Sequence, residues 1–216
     1  MSAKGNSNSS EPTDRRIISV VTRLFYEKGY HGSTMREIAA GANIKAGSLY
    51  NHFPSKQALL MQISLEVTTA LYQGALARLE GLETPTERMR AFVLWHVEVH
   101  AKQRLAARVA DEQLHALEPR NRRRVLAIRD AHEGLLRQIL EDGKREEGWR
   151  VADVAVVAFA IGTMCTQVDT WYREDGRLSP KQIGEIFADF ILAGLSGRAE
   201  LGDGAKKKGT AAKSVR

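Results

Sequence analysis

A chain of 216 residues, 43% of them apolar, is long enough to bury a core without disulfide or metal staples. Its single cysteine, Cys165, has no partner in the sequence, which excludes an intramolecular disulfide and a multi-cysteine metal site and fits a reducing compartment. The formal charge of +6 sits at the ends: residues 1–60 carry 8 Lys+Arg against 4 Asp+Glu, residues 61–205 carry 19 against 22, and residues 206–216 carry 5 against none.

A basic module on a mildly acidic body suits a polyanion at one end, although a charge of this size is also ordinary for solubility. No apolar run approaches the ~18 residues of a membrane span, and the opening MSAKGNSNSSEPTD lacks the apolar centre of a signal peptide. A soluble, cytoplasmic protein with no membrane partner is expected.

Residues 1–12 are rich in Ser, Asn and Gly and are expected to be a disordered tail; residues 202–216, rich in Lys, Gly and Ala, are expected to be another. Between them nearly every segment has helical period and none has sustained strand-like alternation, which predicts an all-α fold. The first helix should run from Thr13 to Lys28, with Ile17, Val20, Val21, Leu24 and Phe25 on one face and Gly29 ending it. Thr34 to Ala40 forms a second, opened by the capping-box spacing of Thr34 and Glu37. Lys45 to His52 forms the third; Pro54 breaks the chain, and Ser55 caps a fourth that reaches Leu79. Five longer helices follow, Thr86–Lys102, Leu105–Leu117, Pro119–Glu141, Ala152–Arg173 and Pro180–Gly197, making about nine in all.

The stretch TMREIAAGANIKAGSLYNHFPSKQAL, Thr34 to Leu59, carries the functional signal. Two helices joined by a tight turn bury their inner faces only if they cross steeply, which leaves the second projecting. Ile38, Ala39, Ala42, Ile44, Leu49 and Phe53 supply the small core, and Asn43 stands at the turn, where Asn tolerates a left-handed backbone. The outward face is then Lys45, Ala46, Ser48, Tyr50 and His52, with Gly47 between them. Small residues let a helix backbone approach the major groove, while hydroxyl, phenol and ammonium groups reach phosphates and base edges. Thr34 adds a hydroxyl and a helix start that can face a phosphate, and Lys56 adds a cation on the same side.

The order T-x-x-E-I-A … A-N-I … G-S-L-Y-N-H-F-P-S-K-x-x-L resembles the DNA-binding motif of the tetracycline-repressor (TetR) family. The resemblance implies a bacterial transcriptional regulator, usually a repressor. Its helix-turn-helix head would span residues 13–60, and a helical domain over residues 61–201 would bind effector and dimerise through its last two helices. It implies that Thr34, Arg36, Lys45, Ala46, Gly47, Ser48, Tyr50, His52 and Lys56 face the operator, with Tyr50 and Lys56 on phosphates. Two residues depart from the pattern: Asn43 replaces the commoner Gly at the turn, and Lys45 replaces the usual Ser or Thr cap. The implied partners are double-stranded palindromic operator DNA, a second copy of the chain and a small apolar effector, with no cofactor. The protein would sit on the nucleoid when bound to DNA.

In the larger part, VAVVAFAIGTMC within Ala152–Arg173 is apolar on most faces and suits either the monomer core or, with the last helix, half of a dimer seam. Candidate cavity residues are Phe92, Trp95, His96, Val99, His100, Leu114, Ile128, His132, Leu135, Met164, Gln167, Val168 and Trp171, each equally placed to be plain core. His96 and His100 lie four apart, a spacing able to grip a metal, but HVEVH is not a zinc-hydrolase motif, and hydrogen-bonded histidines without metal are expected. The segments TWYREDGRLSP and LEPRNRRRV resemble a TetR subgroup linked to lipid or sterol catabolism and coenzyme A thioesters. That resemblance adds Arg173 and Arg177, with Arg120 and Arg124, as candidates beside Trp171 for an adenine and phosphates; a solvated helix start explains the arginine run equally.

No nucleophile elbow, phosphate-cradling glycine loop or Cys-His pairing supports an acyl-binding enzyme, and an architectural DNA-coating protein would bind without sequence preference.

Overall fold

A computed structural model describes residues 13–197; the two expected tails, residues 1–12 and 202–216, lie outside the described residues. Every element is helical among them: α1 (Thr13–Lys28), α2 (Met35–Gly41), α3 (Ala46–His52), α4 (Lys56–Leu79), α5 (Pro85–Lys102), α6 (Arg104–Glu112), a 3₁₀ turn (Leu114–Ala116), α7 (Pro119–Glu146), α8 (Val154–Thr166), α9 (Val168–Trp171) and α10 (Pro180–Ser196). With the 3₁₀ turn set aside and α8 and α9 counted as one interrupted helix, these are nine helical segments.

Local chemistry sets five of the ten described α-helix starts. The side chains of Thr34, Ser55, Thr84, Asp153 and Ser179 each accept a backbone N–H of the turn they open, and at Thr34, Thr84 and Ser179 the third helical residue returns the bond as a capping box. The expected helix Ala152–Arg173 is broken at Gln167. Its carbonyl accepts both the Thr170 N–H (3.1 Å) and the Thr170 hydroxyl (2.7 Å), so a local side-chain bond tightens the backbone where the helix would have continued. Likewise the expected Leu105–Leu117 ends early, at Glu112, and passes into the 3₁₀ turn.

α1 to α3 and the start of α4 share a core of Ile17, Val21, Phe25, Ile38, Leu49, Leu59 and Leu60, all at zero exposure. That core does not close on itself. Val109 of α6, Leu117 and Val125 of α7 complete it, so the head is packed onto the corner where α6 meets α7. Polar bonds cross the same seam: Gln113 Oε1 accepts the Tyr30 N–H at 3.1 Å, and Gln57 donates to the Ala116 carbonyl at 2.7 Å and accepts the Glu118 N–H at 3.0 Å.

The body is organised around α5, which packs against α4, α7, α8 and α10. α10 lies closely along α5 at Gly184, and Arg90 pins it with ion pairs to Glu185 (2.5 Å) and Asp189 (2.6 Å). Val154–Trp171 is, contrary to expectation, long and apolar enough by composition to cross a membrane, at a mean hydropathy of 1.3. In the fold it is α8 with the single turn α9. Its inner face (Ala158, Ile161, Cys165, Val168) is core, while Val156 and Phe159, with Ile186 and Phe190 of α10, form an exposed apolar face. Burial pushes the Cys165 thiol up to about 12, so it is an inert core residue.

Two glycines of α7 make opposite predictions. A Cβ at Gly143 would lie 2.0 Å from the Trp149 ring, whereas one at Gly134 meets nothing within 4 Å. Gly143→Ala should cost about 1–3 kcal/mol in urea unfolding. Gly134→Ala should stabilise by up to about 1 kcal/mol.

Candidate functional site

The turn between α2 and α3 determines how α3 is presented. Among the described residues Asn43 alone, glycines aside, has a left-handed backbone, at φ 53°. The Ile44 N–H reaches the Ala39 carbonyl (3.0 Å) and the Asn43 N–H the Ala40 carbonyl (3.1 Å), the paired bonds of a Schellman ending. The chain therefore reverses within two residues, with Ala42 buried and Ile44 packed against the head core.

α3 is held by one fully buried residue, Leu49, and by the partly buried Phe53 that follows it. The opposite side is open: Lys45, Ala46, Gly47, Tyr50 and His52 are exposed, Tyr50 at 52%, and Ser48 is half-buried. Nothing lies within 4 Å of a Cβ built on Gly47, so the helix surface is bare there. Lys45 makes no side-chain cap for α3, which leaves its ammonium projecting from the helix start. His52 Nδ1 lies 2.6 Å from Asp14 Oδ1 and ties the end of α3 to the start of α1. Arg36 is exposed on α2.

Two further residues expected at the DNA, besides His52, already hold internal partners. The Thr34 hydroxyl donates to Glu37 Oε2 (2.9 Å) and accepts the Glu37 N–H (3.2 Å), so it completes the cap of α2. The Lys56 ammonium donates to the carbonyls of Tyr30 (2.6 Å) and Ser33 (2.7 Å) and sits 4.4 Å from the Tyr30 ring centroid. Lys56 is first an anchor for the α1–α2 loop, with one N–H left for a phosphate. Burial draws this ammonium below the usual lysine range, against a smaller opposing effect of Glu37.

In the body, α4, α5, α7 and α8 enclose a cavity of about 390 Å³, with Asp111 of α6 and Gln167 completing its wall. Of the expected residues, Phe92, His96, His100, His132 and Gln167 line it. The histidines form a chain: His96 Nε2 lies 3.1 Å from Thr166 Oγ1, His132 Nε2 lies 3.3 Å from His96 Nδ1, and the His96 ring stacks on His100 at 4.8 Å. Burial, with lesser effects of His100 and His132, holds His96 well below its usual range, and burial with His100 brings His132 to about 4. Both are neutral at pH 7 and present hydrogen-bonding nitrogens without charge.

The remaining expected residues lie elsewhere. Trp95 donates to the carbonyls of Ala70 (3.2 Å) and Leu71 (3.0 Å) beneath the Arg78 guanidinium, clamping α4 to α5. Val99 is buried with Val67, Leu71, Ala107 and Ala110; Val168 and Leu135 belong to the body core; and Leu114 packs against the head core. Met164 faces a shallow apolar recess between α8 and α10, and Ile128 is half-buried away from the cavity wall. Trp171 is half-exposed against Phe187, Arg173 lines a separate surface recess beside α1 and α6, and Arg177, Arg120 and Arg124 are exposed outside the wall. Sequence reasoning missed Thr68 and Leu71 of α4, Asp111, Arg129 of α7, and Phe159 and Thr163 of α8. The Asp111–Arg129 pair (2.8 Å) joins two consecutive helices, beyond the three- or four-residue spacing at which a local pattern would reveal it.

A short exposed helix behind a tight turn, carried on a helical body with its own cavity, defines a helix-turn-helix transcription regulator rather than an enzyme. Comparison with known proteins agrees. The profile of bacterial regulatory proteins, tetR family, matches residues 17–63, and that of the tetracyclin repressor-like C-terminal domain matches residues 82–195. The HTH-type transcriptional repressor KstR2 of Mycolicibacterium smegmatis is 26% identical over 87% of this chain and 93% of its own length. The TetR family regulator PfmR of Thermus thermophilus superposes with a TM-score of 0.76 at 31% identity, over 83% of this chain and 98% of that one. AibR, solved with isovaleryl coenzyme A and operator DNA, superposes with a TM-score of 0.70 at 25% identity, over 85% and 98%. The chain belongs to the tetR family of bacterial regulatory proteins.

The cap of α2 yields a pH prediction. Hydrogen bonds from Lys28 and Thr34 hold Glu37 down at about 2, from an unfolded value near 4.5. A depressed carboxyl stabilises the fold above its unfolded value and loses that contribution as pH falls through the folded one. Thermal melts between pH 5 and 2 should therefore show a decline in stability that Glu37→Gln makes shallower.

Proposed function

We propose that this protein is a cytoplasmic, ligand-responsive repressor that binds a palindromic operator as a homodimer and is released by a small apolar effector, of the acyl-coenzyme A class. The open face of α3, with Gly47 bare and Lys45 and Tyr50 projecting, is the observation that carries this reading. In this reading residues 13–60 read DNA and residues 61–201 sense the effector and dimerise. Gly47 and Ala46 admit the backbone to the major groove, Lys45, Ser48 and Arg36 reach phosphates or base edges, and Tyr50 and the remaining N–H of Lys56 hold phosphates.

One α3 spans too few bases for selectivity, so a twofold assembly is needed to set two of them in successive grooves. The exposed apolar residues of α8 and α10, Phe159 and Phe190 at 71% each, are the surface suited to it. Phe159 also lines the cavity, so a partner seated there would help to close its mouth. A volume of 390 Å³ is near the lower end for a small-molecule pocket. It suits an acyl chain, with a coenzyme A moiety left outside. The capture of AibR with isovaleryl coenzyme A and operator DNA supports that class. An effector that prefers the conformer with wrongly spaced heads lowers operator affinity by its differential binding to the two states.

Two sets of variants test the reading. In fluorescence-anisotropy titrations, Tyr50→Phe and Lys45→Ala should weaken binding on every duplex, and Lys45→Ala should lessen the salt slope by about 1. Unchanged affinity would remove them from the interface. Phe159→Asp combined with Phe190→Asp should convert a dimer to a monomer in sedimentation analysis and abolish tight operator binding while the helical circular dichroism persists.

A further inference from the structure

Beside the cavity, where α5, α6 and α9 meet, stands a group of side chains that the apolar-effector reading leaves unused. One ligating atom each from His100, Asp111 and Asp169 lies within 4.8 Å of the others. His100 is 3% exposed and its Nδ1 has no hydrogen-bond partner among the described residues. Asp169 is 4% exposed, and its carboxylate lies 3.5 Å from that same nitrogen. That separation is too long for a good N–H···O bond, so the buried His100 Nδ1 is left without a hydrogen-bond partner beside a buried carboxylate. Asp111 gives one oxygen to Arg129 at 2.8 Å, which balances one of the two carboxylates; Asp169 has no Lys or Arg at ion-pair distance among the described residues.

We propose that His100 Nδ1 and the carboxylates of Asp111 and Asp169 form a site for a divalent first-row transition ion of the Zn²⁺ type. One imidazole nitrogen and two carboxylate oxygens suit Zn²⁺ better than Mg²⁺, which takes oxygen ligands and retains its waters. A tetrahedral ion with bonds of ~2.1 Å needs its ligands about 3.4 Å apart, a contraction that side-chain torsions supply. Asp169 reaches His100 because the helix is broken at Gln167, which sets α9 off from α8. Thr170 makes that break.

Three protein ligands leave a fourth position open, as in sites that bind an exchangeable group. His100 and Asp111 both line the cavity, so an ion held by them sits at its wall. The ion then offers a Lewis-acidic anchor for an oxygen of a bound molecule, a carboxylate or a thioester carbonyl; this step rests on the effector reading above. α6, which supplies Asp111, also packs on α1 and α4, so the ion ties the cavity to the element that carries the head.

The test needs neither DNA nor effector. Full-length, tag-free protein dialysed against chelator is titrated with Co²⁺, followed by visible absorption, and with Zn²⁺, followed by calorimetry. The expected result is one ion per chain, a ligand-field band in the visible, displacement of Co²⁺ by Zn²⁺, and affinity at least tenfold lower in both Asp111→Asn and Asp169→Asn. Saturation above one ion per chain without a visible band, binding that survives both substitutions, or no binding at millimolar Co²⁺ overturns the site. Should either variant fail to fold, the Co²⁺ spectrum of the unaltered chain decides: a tetrahedral band supports the site, and the weak octahedral spectrum of the aquo ion overturns it.

Discussion

The left-handed turn at Asn43 is the constraint on which the functional surface depends. Without it α2 would run on or α3 would lie flat. With it, one buried leucine is enough to hold a seven-residue helix whose other faces are free. A helix so short has little stability of its own and exists because Leu49 and the neighbouring Phe53 are packed. The same economy explains the Lys56 ammonium, which holds the loop after α1 in place by two carbonyl contacts. Rigidity of the support, rather than of α3 itself, is what positions the side chains that would touch DNA.

The head and the cavity are mechanically joined through the corner formed by α6, the 3₁₀ turn and the start of α7. Val109, Leu117 and Val125 are buried in the head core, and Gln113 and Gln57 add hydrogen bonds across the seam. Asp111 lies on α6 two residues from Val109, so a cavity-wall residue and a head-core residue share one helical turn. α4 runs through both regions, with Leu59 and Leu60 in the head core and Thr68 and Leu71 at the cavity. Helices α4 and α6 thus connect the cavity to the head directly.

Much of the head was legible in the sequence because its signals are local. The Thr34–Glu37 capping box, the Gly29 stop with its φ of 73° and the Asn43 turn each depend on residues within a few positions of one another. The all-helical class and helix order were legible for the same reason. The cavity was much less so. α4 buries Leu59, Leu60, Met61, Ile63, Val67 and Leu71, residues spread around the helix, and periodicity cannot say which face meets a cavity and which meets a neighbour. Trp95 looks like a ligand-stacking aromatic until Gly74 and Arg78 are seen to sandwich it. The break at Gln167 falls just past the apolar run, where no Gly or Pro marks a stop, so the approach of Asp169 to His100 left no sequence signal.

The central claim is that α3, borne twice on a twofold assembly, reads base sequence. Selection of duplexes from a random library by the purified full-length protein tests it most directly. The enriched sequences should converge on an inverted repeat whose half-sites lie one or two helical turns apart. A pool that remains random after successive rounds, or one enriched in a single unrepeated motif, would contradict the account.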